Sequence, residues 1–123
     1  MSSGLLMPTT HYYLQRAQKA LNDYQDGRRA YLDWLEKKIA LELGHADAKG
    51  AAVERLMATG LSRSAADAAA RTDPEFADYC RREAKAGYHV TLGETYLRHA
   101  LETAKLCRTA LQVGAEAEAE EAR

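Results

Sequence analysis

Residues 73–111 read DPEFADYCRREAKAGYHVTLGETYLRHALETAKLCRTAL, and this stretch decides the fold. Asp73, Pro74 and Glu75 are typical of a helix start, with a capping side chain, a proline at the first helical position and an acid in the first turn. Small and apolar residues then recur in steps of three, four and seven, which predicts one long helix with a narrow apolar stripe. The stripe consists of Phe76, Cys80, Ala84, Gly87, Val90, Leu97, Leu101, Ala104 and Leu111.

The N-terminal half predicts a second long helix. Thr9 or Thr10 caps its start, and it runs from His11 to about Leu43, ending either at Gly44 or later, near Met57. Its stripe is Leu14, Ala17, Leu21, Tyr24, Tyr31, Leu35 and Ile39. After a glycine stop at residue 60, an alanine-rich helix over residues 65–71 connects the two long helices.

These elements predict an all-α fold, an antiparallel hairpin of two long amphipathic helices with a short connecting helix. The helical domain covers residues 11–113, a leader covers residues 1–10, and an acidic low-complexity tail covers residues 114–123. Because two long helices cover each other along one seam only, we expect a homo-oligomer, with coiled-coil-like contacts. The residues expected to lie in the core or the oligomer contact are Leu14, Leu21, Leu35, Ile39, Phe76, Val90, Leu97, Leu101 and Leu111.

Glycines inside the second helix have two interpretations. Gly87 and Gly93 each cost about 1 kcal/mol relative to alanine in a helix interior. Either they allow another backbone to approach closely, or they mark a kink or break near residues 87–93. The sequence leaves both interpretations open.

Charge is unevenly distributed along the 123 residues. The net charge is −1, but the tail after Val113 holds four of the 18 acids and one of the 17 bases, so the rest has 16 bases and 14 acids and a charge of +2. Cys80 and Cys107 are about 40 Å apart on one straight helix, so they cannot pair within it, and free thiols fit a reducing compartment. No apolar span reaches the length that crosses a bilayer. We expect a cytoplasmic protein without a membrane contact.

Catalytic and metal-binding motifs are absent from the sequence. There is no phosphate-binding glycine loop, no dinucleotide-binding fingerprint and no serine nucleophile elbow. The four histidines are His11, His45, His89 and His99. They lack the spacing of a zinc or di-iron site. We therefore predict that the protein is not an enzyme and has no cofactor and no metal. A metal or redox bundle built from the histidines, acids and thiols is kept as a third alternative.

Basic residues cluster near aromatic ones, a pattern that suits a phosphate backbone with stacked bases. The clusters are Arg28-Arg29, Lys37-Lys38 and Arg81-Arg82-Lys85, with Tyr31, Trp34 and Tyr79 nearby. The competing interpretation is an ordinary solvent-exposed helix face, since charged residues on a long helix usually face solvent and pair with acids one turn away.

Three segments and the long closing helix, taken in order, resemble the small helical recombination mediators of tailed phages, the UvsY type, over roughly residues 12–111. The segments are YLDWLEKK at 31–38, VERL at 53–56 and DPEF at 73–76. The resemblance implies rings of identical subunits that bind single-stranded DNA. It also implies help in loading a RecA-like recombinase onto strands covered by single-strand-binding protein. Lys49 and Arg55 match the basic residues that contact DNA in that family, and Lys37 and Lys38 are further candidates.

The leading hypothesis is therefore a non-enzymatic, single-stranded DNA-binding recombination mediator of phage type. Its phosphate-binding residues would be Lys37, Lys38, Lys49, Arg55 and Arg63. The alternative is a helical protein-interaction module, such as a virion assembly factor or an inhibitor of a host protein, that uses the same stripe and the same oligomer.

Overall fold

The computed structural model describes residues 2–122, and their side chains from Thr10 onward. The fold is all-α, and the predicted fold class is confirmed. Two long helices, α1 (Ser2–Ala58) and α3 (Pro74–Glu121), pack antiparallel. A short helix, α2 (Arg63–Ala68), and a 3-10 turn (Ala70–Thr72) join them. No helix in this described part of the chain holds an apolar stretch long enough to cross a membrane.

Helix α1 ends at the later of its two predicted ends. It continues through Gly44 and Gly50 and closes where the amide of Gly60 donates to the carbonyl of Met57 at 3.0 Å. Gly60 has φ of 106°, the left-handed conformation that glycine adopts without strain after a helix end. The start predicted at His11 is wrong, because α1 begins at Ser2 and Thr9 and Thr10 lie inside it. The leader at residues 1–10 as a separate segment stays a prediction.

Side-chain caps start both later helices. Ser62 Oγ accepts from the amide of Ala65 at 3.2 Å, so α2 begins a little earlier than the predicted 65–71. Asp73 Oδ2 accepts from the amide of Phe76 at 3.0 Å, which confirms the predicted start of the long closing helix. The first buried ring of α3 follows directly, because Phe76 is only 3% exposed.

Buried and half-buried positions recur every seven residues along both long helices, the spacing that keeps one seam facing an antiparallel neighbour. In α1 the first row is Tyr13, Ala20, Gly27, Trp34, Leu41 and Ala48. The second row is Ala17, Tyr24, Tyr31, Lys38, His45 and Ala52. In α3 the first row is Phe76, Glu83, Val90, Leu97, Ala104 and Leu111. The second row is Tyr79, Ala86, Gly93, Ala100, Cys107 and Gly114. Small residues dominate the second row of α3.

The predicted core is only partly correct within one chain. Phe76 and Val90 are buried. Three more predicted residues are half-buried, namely Leu35, Leu97 and Leu111. Four predicted residues are wrong as hairpin core, with 44–54% exposure, and they are Leu14, Leu21, Ile39 and Leu101.

The four errors share one physical cause. Each of these residues directly follows a seam residue, for example Leu21 after Ala20 and Leu101 after Ala100. One residue turns the side chain by roughly 100° around a helix of 3.6 residues per turn, which takes it off the seam. Whether these side chains are covered in an oligomer stays a prediction.

The chain forms two compact units. The connection unit is residues 31–92, and its buried cluster consists of Ala52, Ala70 and Phe76, with Tyr79 and Val53 packed against it. The terminal unit is residues 2–30 and 93–122, and the buried residues described there are Ala20, Ala100 and Cys107. Among the described side chains, the large buried ones therefore lie in the connection unit.

Two glycines of α1 lie under tyrosines of α3. A Cβ atom on Gly27 would lie 2.6 Å from Tyr96 Cε1, and one on Gly44 would lie 2.6 Å from Tyr79 Oη. Gly87, by contrast, has no such neighbour within 4 Å, and α3 is unbroken there. At Gly87 the structure thus shows neither a close neighbour nor a break in the helix.

Candidate functional site

The connection unit contains an aromatic and cationic cluster around the chain's one tryptophan. The half-buried Trp34 ring of α1 stacks on the His89 ring of α3, with centroids 4.0 Å apart and planes 13° apart. Lys37 Nζ lies 4.5 Å from the Trp34 ring centroid, and Lys85 Nζ lies 5.9 Å from it. Both distances are within the range of a cation–π attraction.

A cavity of about 360 Å³ opens beside this ring. Its apolar wall is formed by Ala40, Leu41 and Ala86, and its cations are Lys37, Arg82 and Lys85. We call the cavity and Trp34 together the Trp34 pocket. A hydrophobic wall with a few convergent charged groups is the usual construction of a small binding site.

The charges of the Trp34 pocket are not equally available. Arg82 Nε lies 3.3 Å from Asp78 Oδ2, and its guanidinium lies 5.3 Å from the Tyr79 ring. Neither Lys37 nor Lys85 forms an ion pair with any residue in the described part of the chain. Two ammonium groups are therefore available to an anion beside an aromatic ring.

Contacts between α1 and α3 fix the position of this pocket. Tyr79 donates its hydroxyl hydrogen to the carbonyl of Leu41, a residue of the pocket wall. One turn farther along α1, His45 Nδ1 lies 2.6 Å from Glu83 Oε1. These bonds join the two helices next to the cavity. They therefore fix the positions from which the wall residues and the lysines project.

The other predicted phosphate-binding residues lie elsewhere in the connection unit. Lys38 is on the half-buried seam, with Nζ 3.8 Å from Glu42. Lys49 Nζ lies 3.4 Å from Asp67 Oδ1. Arg63 is exposed in the first turn of α2. Of the five predicted residues, only Lys37 lines the Trp34 pocket.

Arg55 is engaged within the chain. Its Nε and Nη2 donate to the two carboxylate oxygens of Asp73 at 3.0 and 2.6 Å, and Nη1 lies 3.2 Å from Glu75 Oε2. The hydrogen bonds from Arg55, with that from the Phe76 amide, hold the pKa of Asp73 below its ordinary value of 3.8. Arg55 thus ties the end of α1 to the start of α3, and its role as a phosphate ligand stays a prediction.

Sequence reasoning did not place Lys85, Arg82 or His89 at the site. The basic run that holds Arg82 and Lys85 is visible in the sequence, but 51 positions separate Trp34 from Lys85, so only the packing of the two helices shows that they meet. The seven-residue rows carry only part of the signal, because they put Trp34 and Ala86 on the seam but do not show which residues of the two helices lie opposite each other.

Comparisons of the chain with protein-family models, with curated proteins and with solved structures find no match. Within the described residues, no group of three or more histidine, cysteine, aspartate or glutamate side chains is arranged to hold a metal ion.

Proposed function

We propose that this protein is a non-enzymatic single-stranded DNA-binding protein that binds one nucleotide unit in each Trp34 pocket. We further propose that it acts as a recombination mediator of phage type, as a homo-oligomer that assists a RecA-like recombinase. One observation carries the DNA-binding part. A tryptophan ring, an apolar cavity and two unpaired lysines converge at one place in the connection unit.

Single-stranded nucleic acid matches this combination of groups. Its bases have exposed faces that stack on aromatic rings, and its phosphates attract lysine and arginine. A base that stacks on Trp34 takes the place of the Lys37 ammonium, and the flexible stem of Lys37 lets it move to a phosphate. A duplex keeps its base faces covered, so the same site favours the single strand.

Self-association supplies the strength that one pocket lacks. Three cations beside one ring make a weak site, and the chain without its acidic tail has a charge of only +2. A strand that reaches several identical pockets of an oligomer gains effective concentration for each added contact. The proposal therefore joins DNA binding to oligomer formation.

The test is fluorescence anisotropy with labelled single-stranded and duplex oligonucleotides at low and near-physiological salt. We expect a preference for the single strand and a steep loss of affinity with salt. The double variant Lys37→Gln, Lys85→Gln should weaken binding about tenfold or more, similarly for all base sequences, and should reduce the salt slope by about 1.4 for each pocket that the strand occupies. Lys49→Ala and Arg63→Ala should have smaller effects, since neither lines the pocket.

The matched control removes the same charge from the terminal unit. Lys105 and Arg108 are exposed on α3, and Lys105→Gln with Arg108→Gln should leave most of the affinity intact. If this control weakens binding as much as the pocket variant does, the attraction is general and the pocket is not the site. Absence of binding at low salt would overturn the proposal as a whole.

A protein-interaction module is the second candidate function, because large apolar side chains lie open on the helix surfaces. Leu43 is 79% exposed and Leu106 is 72% exposed. Such a module, whether a virion assembly factor or an inhibitor of a host protein, would show no salt-dependent affinity for DNA. The anisotropy experiment therefore separates the two candidates.

A further inference from the structure

The terminal unit contains a second groove, of about 430 Å³, that the proposed function does not use. Its floor is formed by Ala20 and Ala100, both buried. The residues around the floor are Tyr12, Arg16, Lys19, Asp23, Tyr96, His99 and Thr103. All of them belong to the terminal unit, so the groove is independent of the Trp34 pocket.

Small residues on the seam create this groove. Alanine at both floor positions leaves open volume where a larger side chain would fill the space, and aromatic rings stand at the sides. Tyr12 is 51% exposed and Tyr96 is 45% exposed, so both rings are accessible. The groove thus offers flat aromatic surface above an apolar floor.

The cations around the groove are positioned but not neutralised. Arg16 Nη1 donates to Tyr12 Oη at 2.7 Å, and its guanidinium carbon lies 5.9 Å from the Tyr12 ring centroid. In the described chain neither Arg16 nor Lys19 pairs with a carboxylate. Asp23 adds a hydrogen-bond acceptor on the same rim. The arginine is therefore held beside an aromatic ring with donors left for an anion.

We propose that this groove is a nucleotide site. Arg16 and Lys19 bind the phosphate, the tyrosine rings contact the base, and Asp23 accepts from an amino or hydroxyl group. The volume falls within the usual range of a small-molecule site and is sufficient for one mononucleotide. A free nucleotide and the terminal nucleotide of a strand share this chemistry, and the experiment distinguishes them.

Histidine NMR tests the proposal at the level of the site. His99 lines the groove, whereas His89 stacks on Trp34 in the other unit. The full chain is titrated with AMP, with adenosine, and with a short 5′-phosphorylated oligonucleotide, and the ring C–H signals are assigned by substitution to glutamine. We expect AMP to shift His99 saturably below about 10 mM, and adenosine to bind about tenfold more weakly because it lacks the phosphate.

The groove variants avoid Tyr96, because its ring covers Gly27. Tyr12→Leu and Arg16→Gln change exposed side chains and should each lower the AMP affinity about fivefold or more, while Lys105→Gln, outside the groove, should not. A shift of His99 by the oligonucleotide alone would assign the groove to a strand end. No saturable His99 shift with any ligand, or equal shifts at all four histidines, would overturn the proposal without affecting the Trp34 pocket.

Discussion

The connection unit and the terminal unit use the same two helices in different ways. In the connection unit, Phe76 and Val90 are buried, and ion pairs and hydrogen bonds join α1 to α3. Among the side chains described in the terminal unit, the buried ones are small: Ala20, Ala100 and Cys107. Burial of a large ring contributes about 2–3 kcal/mol, and burial of an alanine methyl much less.

One helical seam thus carries large buried side chains in one unit and leaves an alanine-floored groove open in the other. Large side chains fill the seam where the fold must be fixed, beside the connection. Small ones leave the groove of the terminal unit open, with Tyr12 and Tyr96 accessible. We therefore attribute most of the stability to the connection unit.

The largest expected effect comes from the phenylalanine of the connection unit. Phe76→Ala removes a ring that is 3% exposed and leaves a cavity, so the free energy of unfolding should fall by about 3–5 kcal/mol. Cys107→Ala, in the buried row of the terminal unit, should lower it by only about 1 kcal/mol. Urea unfolding followed by circular dichroism measures both.

Phe76→Leu serves as the volume control and should cost less than about 1.5 kcal/mol. Equal losses for Phe76→Ala and Cys107→Ala would contradict the assignment of stability to the connection unit.

The next effect concerns the pH dependence of the Arg55–Asp73 pair. The pKa of Asp73 is lowered in the folded protein, so its contribution is complete above the ordinary value of 3.8 and is lost as the pH falls through the lowered value. Asp73→Asn keeps a capping side chain but removes the charge. The difference in unfolding free energy between the native protein and this variant should therefore be largest near neutral pH and should shrink below about pH 4.

Asp78→Asn is the control for that experiment, because Asp78 is an exposed acid that pairs with arginines of its own helix. Its effect should be small at every pH. A difference for Asp73→Asn that does not change with pH would mean that the ion pair has no net stabilising effect.

The smallest expected effects compare two glycines of α1. Gly50 has open space around it, and Gly50→Ala should raise the free energy of unfolding by up to about 1 kcal/mol through helix propensity. Gly27→Ala should lower it by about 1–2 kcal/mol, since the new Cβ would lie 2.6 Å from the Tyr96 ring. Thermal melts of the two variants should shift in opposite directions. A stabilising Gly27→Ala would show that the terminal unit yields easily at this contact.

The sequence predicted the fold class, the start of α3 at Asp73 and the burial of Phe76 and Val90, because capping residues and helical periods are local signals. It put Leu14, Leu21, Ile39 and Leu101 on the hairpin seam, where they do not lie, because large aliphatic residues outweighed the alanines and glycines that form much of that seam. The exact spacing of seven through Ala20, Gly27, Trp34 and Leu41 indicates which face of α1 forms the seam.

The candidate site was less predictable than the fold. A sequence shows a basic residue but not its partner, so it could not distinguish Lys37, which is free beside Trp34, from Arg55, which binds Asp73 and Glu75. The meeting of Trp34 with His89 and Lys85 depends on the exact register of α1 against α3, and no local pattern determines that register.

The most direct test of the central claim is the emission of Trp34 during titration with an unlabelled single-stranded oligonucleotide at low salt. Trp34 is the only tryptophan, so its signal reports the pocket alone. We expect saturable quenching, because a stacked base replaces the ammonium over the ring. The quenching should weaken with salt and should be lost in the Lys37→Gln, Lys85→Gln variant. Unchanged emission while the anisotropy of a labelled strand rises would contradict the claim, since the strand would then bind elsewhere on the protein.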